Sequence, residues 1–82
     1  VDLLFKSARD TIARCKVKAD ILQFVGDEVE GRTIVKRMQH EARVLNMVGA
    51  VAPARRREAE LLMGECAKVW TRIALAEPWS SR

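Results

Sequence analysis

Three groups of side chains in this 82-residue chain could do chemistry, and none has a partner group at the spacing a reaction needs. His40 is followed by Glu41, Ala42 and Arg43 on a helical stretch, so an imidazole there could accept a phosphoryl group. Arg55, Arg56 and Arg57 fall in the first turn of a helix, where unpaired backbone N–H groups already make a positive end. Three guanidiniums at such a place suit a phosphate or a carboxylate. The plainer reading is a solvated basic turn paired with Glu28, Glu30 or Glu41. Cys15 and Cys66 stand far apart, outside any CxxC pair and with a single His in the chain, which argues against a zinc site. They read as buried free thiols in a reducing compartment.

No nucleophile has a base within one segment, no glycine-rich loop cradles a phosphate, and no carboxylate pair flanks a metal ligand. Catalytic residues, metal ligands and cofactors are therefore not expected, and the chain does not read as an enzyme. The string His40-Glu41-Ala42-Arg43 resembles the phosphoacceptor helix of two-component histidine kinases. The small residues and proline expected next are replaced by Val44, Leu45 and Asn46. Histidine phosphotransfer domains carry a glycine where Val44 stands. Phosphotransfer through His40 is thus a third-ranked reading.

The length sets one domain over residues 1–82, with a core too small to enclose a deep active site. Apolar residues make up 49% and charged residues 32%, the balance of a folded chain rather than a disordered one. The net charge is +4, which favours an acidic partner, a nucleic acid or an anionic surface. Basic residues alternate with acids, and aromatics are too few for a base-stacking platform, so nucleic acid ranks second to protein. The longest apolar run, 47–52, is far short of a membrane span. The chain opens on Val1 without a signal-peptide pattern, which suits a processed or trimmed end.

Three helices must position these groups, over about 2–25, 28–48 and 53–77. In the first, Leu4, Ala8, Ile12, Cys15, Ala19 and Leu22 recur at steps of three and four, with Phe5 and Ile21 widening the stripe. Asp2–Lys6, Lys6–Asp10, Asp10–Arg14 and Lys16–Asp20 are spaced for ion pairs along the same helix. Gly26 is placed to end it, and Asp27 with Glu30 forms a capping-box pattern for the second. That helix starts at Glu28 or Thr33, since Gly31 weakens its first turn. Its stripe is Ile34 or Val35, Met38, Ala42, Leu45 and Val48, and Gly49 is expected to stop it. Pro53 opens the third helix, whose stripe is Ala59, Leu62, Cys66, Val69 and Ile73, flanked by Leu61, Trp70 and Leu75. Pro78 closes it. Short connections make the helices antiparallel neighbours, so the expected fold is all-α, an up-down-up three-helix bundle.

Trp70 borders the third stripe and reads as core. Trp79 follows Pro78 in a polar tail and either folds back over the bundle or docks on a partner.

Leu4-Phe5-Lys6, near the start of the first helix, resembles the Leu-Tyr-Arg signature of the LYR-motif family of small mitochondrial proteins. Val35-Lys36-Arg37-Met38 through Arg43 is similar to that family's basic second helix. Leu61-Leu62, Gly64 and Lys68-Val69-Trp70 resemble the third helix of its respiratory-complex members. The resemblance covers about residues 3–75. Phe5 lacks the phenol hydroxyl, Lys6 lacks the planar fork of arginine, and Ala42 stands where the family carries a phenylalanine. The resemblance implies an accessory or assembly subunit on the mitochondrial matrix side that binds the acidic acyl carrier protein, with the acyl chain entering between the helices.

The chain therefore reads as a non-catalytic interaction subunit of a larger assembly. Its candidate partner-binding residues are Leu4, Phe5, Lys6, Arg55, Arg56, Arg57 and Trp79.

Overall fold

The structure is a computed structural model that describes residues 2–25 and 28–76. Helix α1 spans Asp2–Val25, α2 spans Glu28–Val51 and α3 spans Arg56–Ala76, with a 3-10 turn at Pro53–Arg55 leading into α3. No strand occurs among the described residues. The bundle is elongated, 46 × 17 × 15 Å. Gly26, Asp27, Pro78 and Trp79, to which the sequence assigns caps, a stop and a docking ring, lie outside the described residues.

The core follows from two spacings. On α1 the buried apolar positions are Phe5, Ala8, Ile12, Cys15, Ala19 and Leu22, a strict alternation of three and four. On α3 the series Ala59, Leu62, Cys66, Val69 and Ile73 has the same period, with Leu62 half-buried. A seven-residue repeat keeps one seam facing its neighbour along a supercoiled pair. On α2 the buried Gly31, Ile34 and Met38 recur eleven residues later as Ala42, Leu45 and Gly49. That period is close to the natural turn of a straight helix. Phe5, rather than Leu4, therefore opens the α1 stripe, and Ile21, Leu61 and Leu75 are exposed. Val35, Val48 and Trp70 pack against the core from its edge.

Glycine 49 does not stop α2. It is buried against α3, where an added Cβ would lie 3.4 Å from the Ala59 Cβ and 3.7 Å from the Arg56 Cα. A methyl there would make ordinary contact with α3, so position 49 belongs to the face of α2 that packs on α3 rather than to a helix end. The helix stops instead at Ala52, whose N–H still bonds the Val48 carbonyl at 2.8 Å while its own backbone is extended, at φ −120° and ψ 81°. Pro53 forces that geometry, because its ring crowds a helical residue before it. Gly31 is helical and buried, so the first turn of α2 survives it.

None of the four ion pairs expected along α1 forms. The charges of α1 reach across to α3 instead. Arg9 meets Glu58 at 2.8 Å, Lys16 meets Glu65 at 2.7 Å, Asp20 meets Arg72 at 2.6 Å, and Asp2 meets Arg55. The partner numbers rise together, so α1 and α3 run parallel. Lys18 meets Glu30 at the opposite end from the contact of Leu4 with the end of α2, so α2 runs back between them. Lys16 holds the Glu65 carboxyl below its ordinary range through a hydrogen bond and its charge.

Candidate binding surface

Successive helical residues point about 100° apart, so Leu4, Phe5 and Lys6 face three directions. Phe5 is 0% exposed and belongs to the core. A ring without accessible surface cannot be touched by a partner, so Phe5 leaves the partner-binding set. Leu4, at 36% exposed, lines a surface groove. Lys6 is exposed and forms no ion pair among the described residues.

The three arginines also separate. Arg55 donates from Nη2 and Nε to Glu58 Oε2 at 2.9 and 3.1 Å, and from Nη1 to Asp2. Its guanidinium carbon lies 4.5 Å from the centre of the Phe5 ring. It therefore closes the end of the bundle over Phe5, and the hydrogen bonds hold both carboxyls below their ordinary values. Arg56 donates from Nε to Glu60 at 3.2 Å. Arg57 is exposed, with no ion pair among the described residues. The acids that a solvated basic turn would use are taken elsewhere: Glu28 by Arg32, Glu30 by Lys18 and Glu41 by Arg37. Sequence could not identify Asp2 as the partner, because it lies 53 positions away.

Arg55→Gln should therefore lower the melting temperature, because it removes the contacts to Asp2, Glu58 and the Phe5 ring together. Arg57→Gln should leave it unchanged. Identical melts for the two variants would show that Arg55 does not hold α1 against α3.

Between the start of α1 and the end of α2 lies a groove of about 320 Å³. Leu4, Val44, Met47, Val48, Val51 and Ala52 line it, with no polar atom in its wall. Met47 is 67% exposed and Val51 84%. They are off the core stripe of α2, whose inward positions there are Leu45 and Gly49. Toward the middle of α2 the same outer face carries Lys36, His40 and Arg43, spaced four and three residues apart and all exposed. The face is thus basic at one end and apolar at the other. A run from Lys36 to Val51 covers about 22 Å at 1.5 Å per residue. Sequence reading missed this surface. The signal was present in the apolar run 47–52, of which only Gly49 falls on the buried stripe.

Nine of the fourteen described Lys and Arg side chains form ion pairs, which leaves Lys6, Arg14, Lys36, Arg43 and Arg57. Asp10 is the one described carboxylate outside the pairs. Among the described residues the fold pairs every acid but one and leaves the excess of cations facing outward.

The two thiols are free and buried. Burial pushes both up, Cys66 to about 11 with Glu41 adding to the effect. A thiol that stays protonated is a weak nucleophile. Among the described residues no group of three or more His, Cys, Asp or Glu is placed to hold a metal, and no helix is long and apolar enough to cross a membrane.

Compared with known proteins, the chain matches no family model, no curated protein and no solved structure.

Proposed function

We propose that this domain is a non-catalytic interaction subunit that docks on an acidic protein within a larger assembly. The observation that carries this is the charge inventory. Five outward cations have no carboxylate among the described residues, while the cations at helix seams do. Unpaired surface cations steer an acidic partner and raise its association rate. The apolar groove beside Lys36 and Arg43 supplies area that such a partner can bury.

The resemblance to LYR-motif proteins narrows the partner to an acyl carrier protein and the setting to a mitochondrial respiratory-complex subunit or assembly protein. In support, Leu4 of the Leu4-Phe5-Lys6 segment lines the groove and Lys6 is exposed. Isothermal titration of the domain with acyl carrier protein, and separately with duplex DNA, tests both levels. The expected result is saturable binding of the acidic protein that weakens with salt, and no comparable binding of DNA. DNA binding with a steep salt dependence and none of the protein would replace this function with nucleic-acid binding.

A further inference from the structure

We infer that the outer face of α2, from Lys36 to Val51, together with Leu4, is the seat of an amphipathic helix that is apolar at one end and acidic at the other. The inference rests on the acidic-partner reading and names its surface and the form of its ligand.

Three observations fix the occupant. The groove wall is wholly apolar and its lining residues Met47 and Val51 are largely exposed. Apolar side chains that no core position requires gain by being covered. Second, Lys36, His40 and Arg43 continue the same face, and neither Lys36 nor Arg43 has an ion pair. The ligand must therefore place carboxylates one to three turns from its apolar anchors. Third, the seat is made of helix side chains. The backbone N–H and C=O groups of α2 are spent inside the helix, so an extended strand finds no edge to pair with. A helix laid beside α2 offers side chains at i, i+3, i+4 and i+7 instead.

A second copy of this chain fits poorly. Pairing two such faces in parallel sets Lys36 and Arg43 against their own copies. Pairing them antiparallel sets these cations against apolar residues, and neither arrangement supplies a carboxylate.

The probe is a synthetic capped helical peptide of about 18 residues, long enough to match the face at 1.5 Å per residue. It carries Leu at i, i+4 and i+7 in one half and Glu on the same face of the other. Comparison peptides carry Lys for Glu, or a central Pro. Binding is read by fluorescence anisotropy with the whole domain. The Glu peptide should bind saturably, and the Lys and Pro peptides at least ~10-fold more weakly. Met47→Asp and Lys36→Glu/Arg43→Glu should each weaken the Glu peptide by at least ~10-fold. These residues are exposed, so the melts of both variants should match the parent. Vesicles of equal parts phosphatidylcholine and phosphatidylserine form a further arm. No saturable peptide binding, equal binding of the Glu and Lys peptides, or insensitivity to Met47→Asp overturns the inference. So does capture by vesicles alone, which would make the face a lipid surface. The broader reading fails separately, if an acidic protein shows no salt-sensitive binding. If such a protein binds but Met47→Asp leaves its affinity unchanged, only the seat is wrong.

Discussion

Phe5→Ala should destabilise the domain by about 3–5 kcal/mol, the range for removing a buried aromatic ring from a packed core. Phe5 is fully buried, and its neighbours on the α1 stripe are Ala8 and Ile12. Alanine at position 8 has no length with which to fill the cavity. The ring also lies beneath the Arg55 guanidinium, so its loss removes a contact from the side chain that ties Asp2 to Glu58. A domain of this size has a total stability of about 4–12 kcal/mol, so the variant should melt far below the parent or populate unfolded chain at room temperature. Leu62→Ala should cost less than the ~2–5 kcal/mol of a fully buried leucine, because Leu62 is only half-buried. Urea denaturation of both variants gives the comparison. A small effect for Phe5→Ala with a large loss of partner binding would return Phe5 to the binding surface.

Raising the pH from about 9 to about 11 should weaken the fold, with Cys66 contributing roughly 2–3 kcal/mol at 1.4 kcal/mol per pKa unit. The ordinary thiol value is 9.0, and burial among apolar side chains lifts Cys66 to about 11 in the folded chain. Between those values the unfolded chain has lost the proton and the folded chain keeps it. The unfolded state then binds fewer protons, so unfolding becomes easier with each unit of pH. Well below pH 9 both states keep the proton and Cys66 contributes no slope. The chain has no tyrosine, which removes one competing titration. Urea midpoints measured from pH 8 to 11 should decline in the parent and decline less in Cys66→Ala. Equal slopes would mean that the Cys66 thiol is reached by solvent in the folded protein.

The architecture was legible because helix periodicity is local: three stripes, two prolines and steps of three and four suffice for a three-helix bundle. The errors arose where two local readings fit equally. Counting back from Ala8, a step of four reaches Leu4 and a step of three reaches Phe5. Only the unbroken alternation from position 5 to 22 selects the second. Gly49 likewise carries the ordinary mark of a helix end, yet it stands eleven residues after Met38, in phase with the buried face of α2. The ion pairs were not legible at all. Asp2, Lys16 and Asp20 each have an oppositely charged residue four positions away on α1, and only the packed pair of helices shows that the partner on α3 is used instead. The binding surface was half legible. Lys6 and Arg57 stand in local patterns that mark them, whereas Lys36 and Arg43 stand out only within a resemblance to known helices.

The order of signs across the α1–α3 seam also acts as a guard against misalignment. Heptad cores are nearly indifferent to sliding by seven residues, because the same kinds of side chain meet again. Here Asp2, Arg9, Lys16 and Asp20 face Arg55, Glu58, Glu65 and Arg72. If α1 slips one heptad in one direction, Lys16 still finds an acid in Glu58, but Asp20 is set against Glu65. If it slips the other way, Arg9 finds Glu65, but Lys16 is set against Arg72. Each wrong alignment keeps one attraction and acquires one repulsion, whereas the native one satisfies every position. Exposed pairs of this kind add little to net stability, so their larger effect is on which of several similar packings the chain selects.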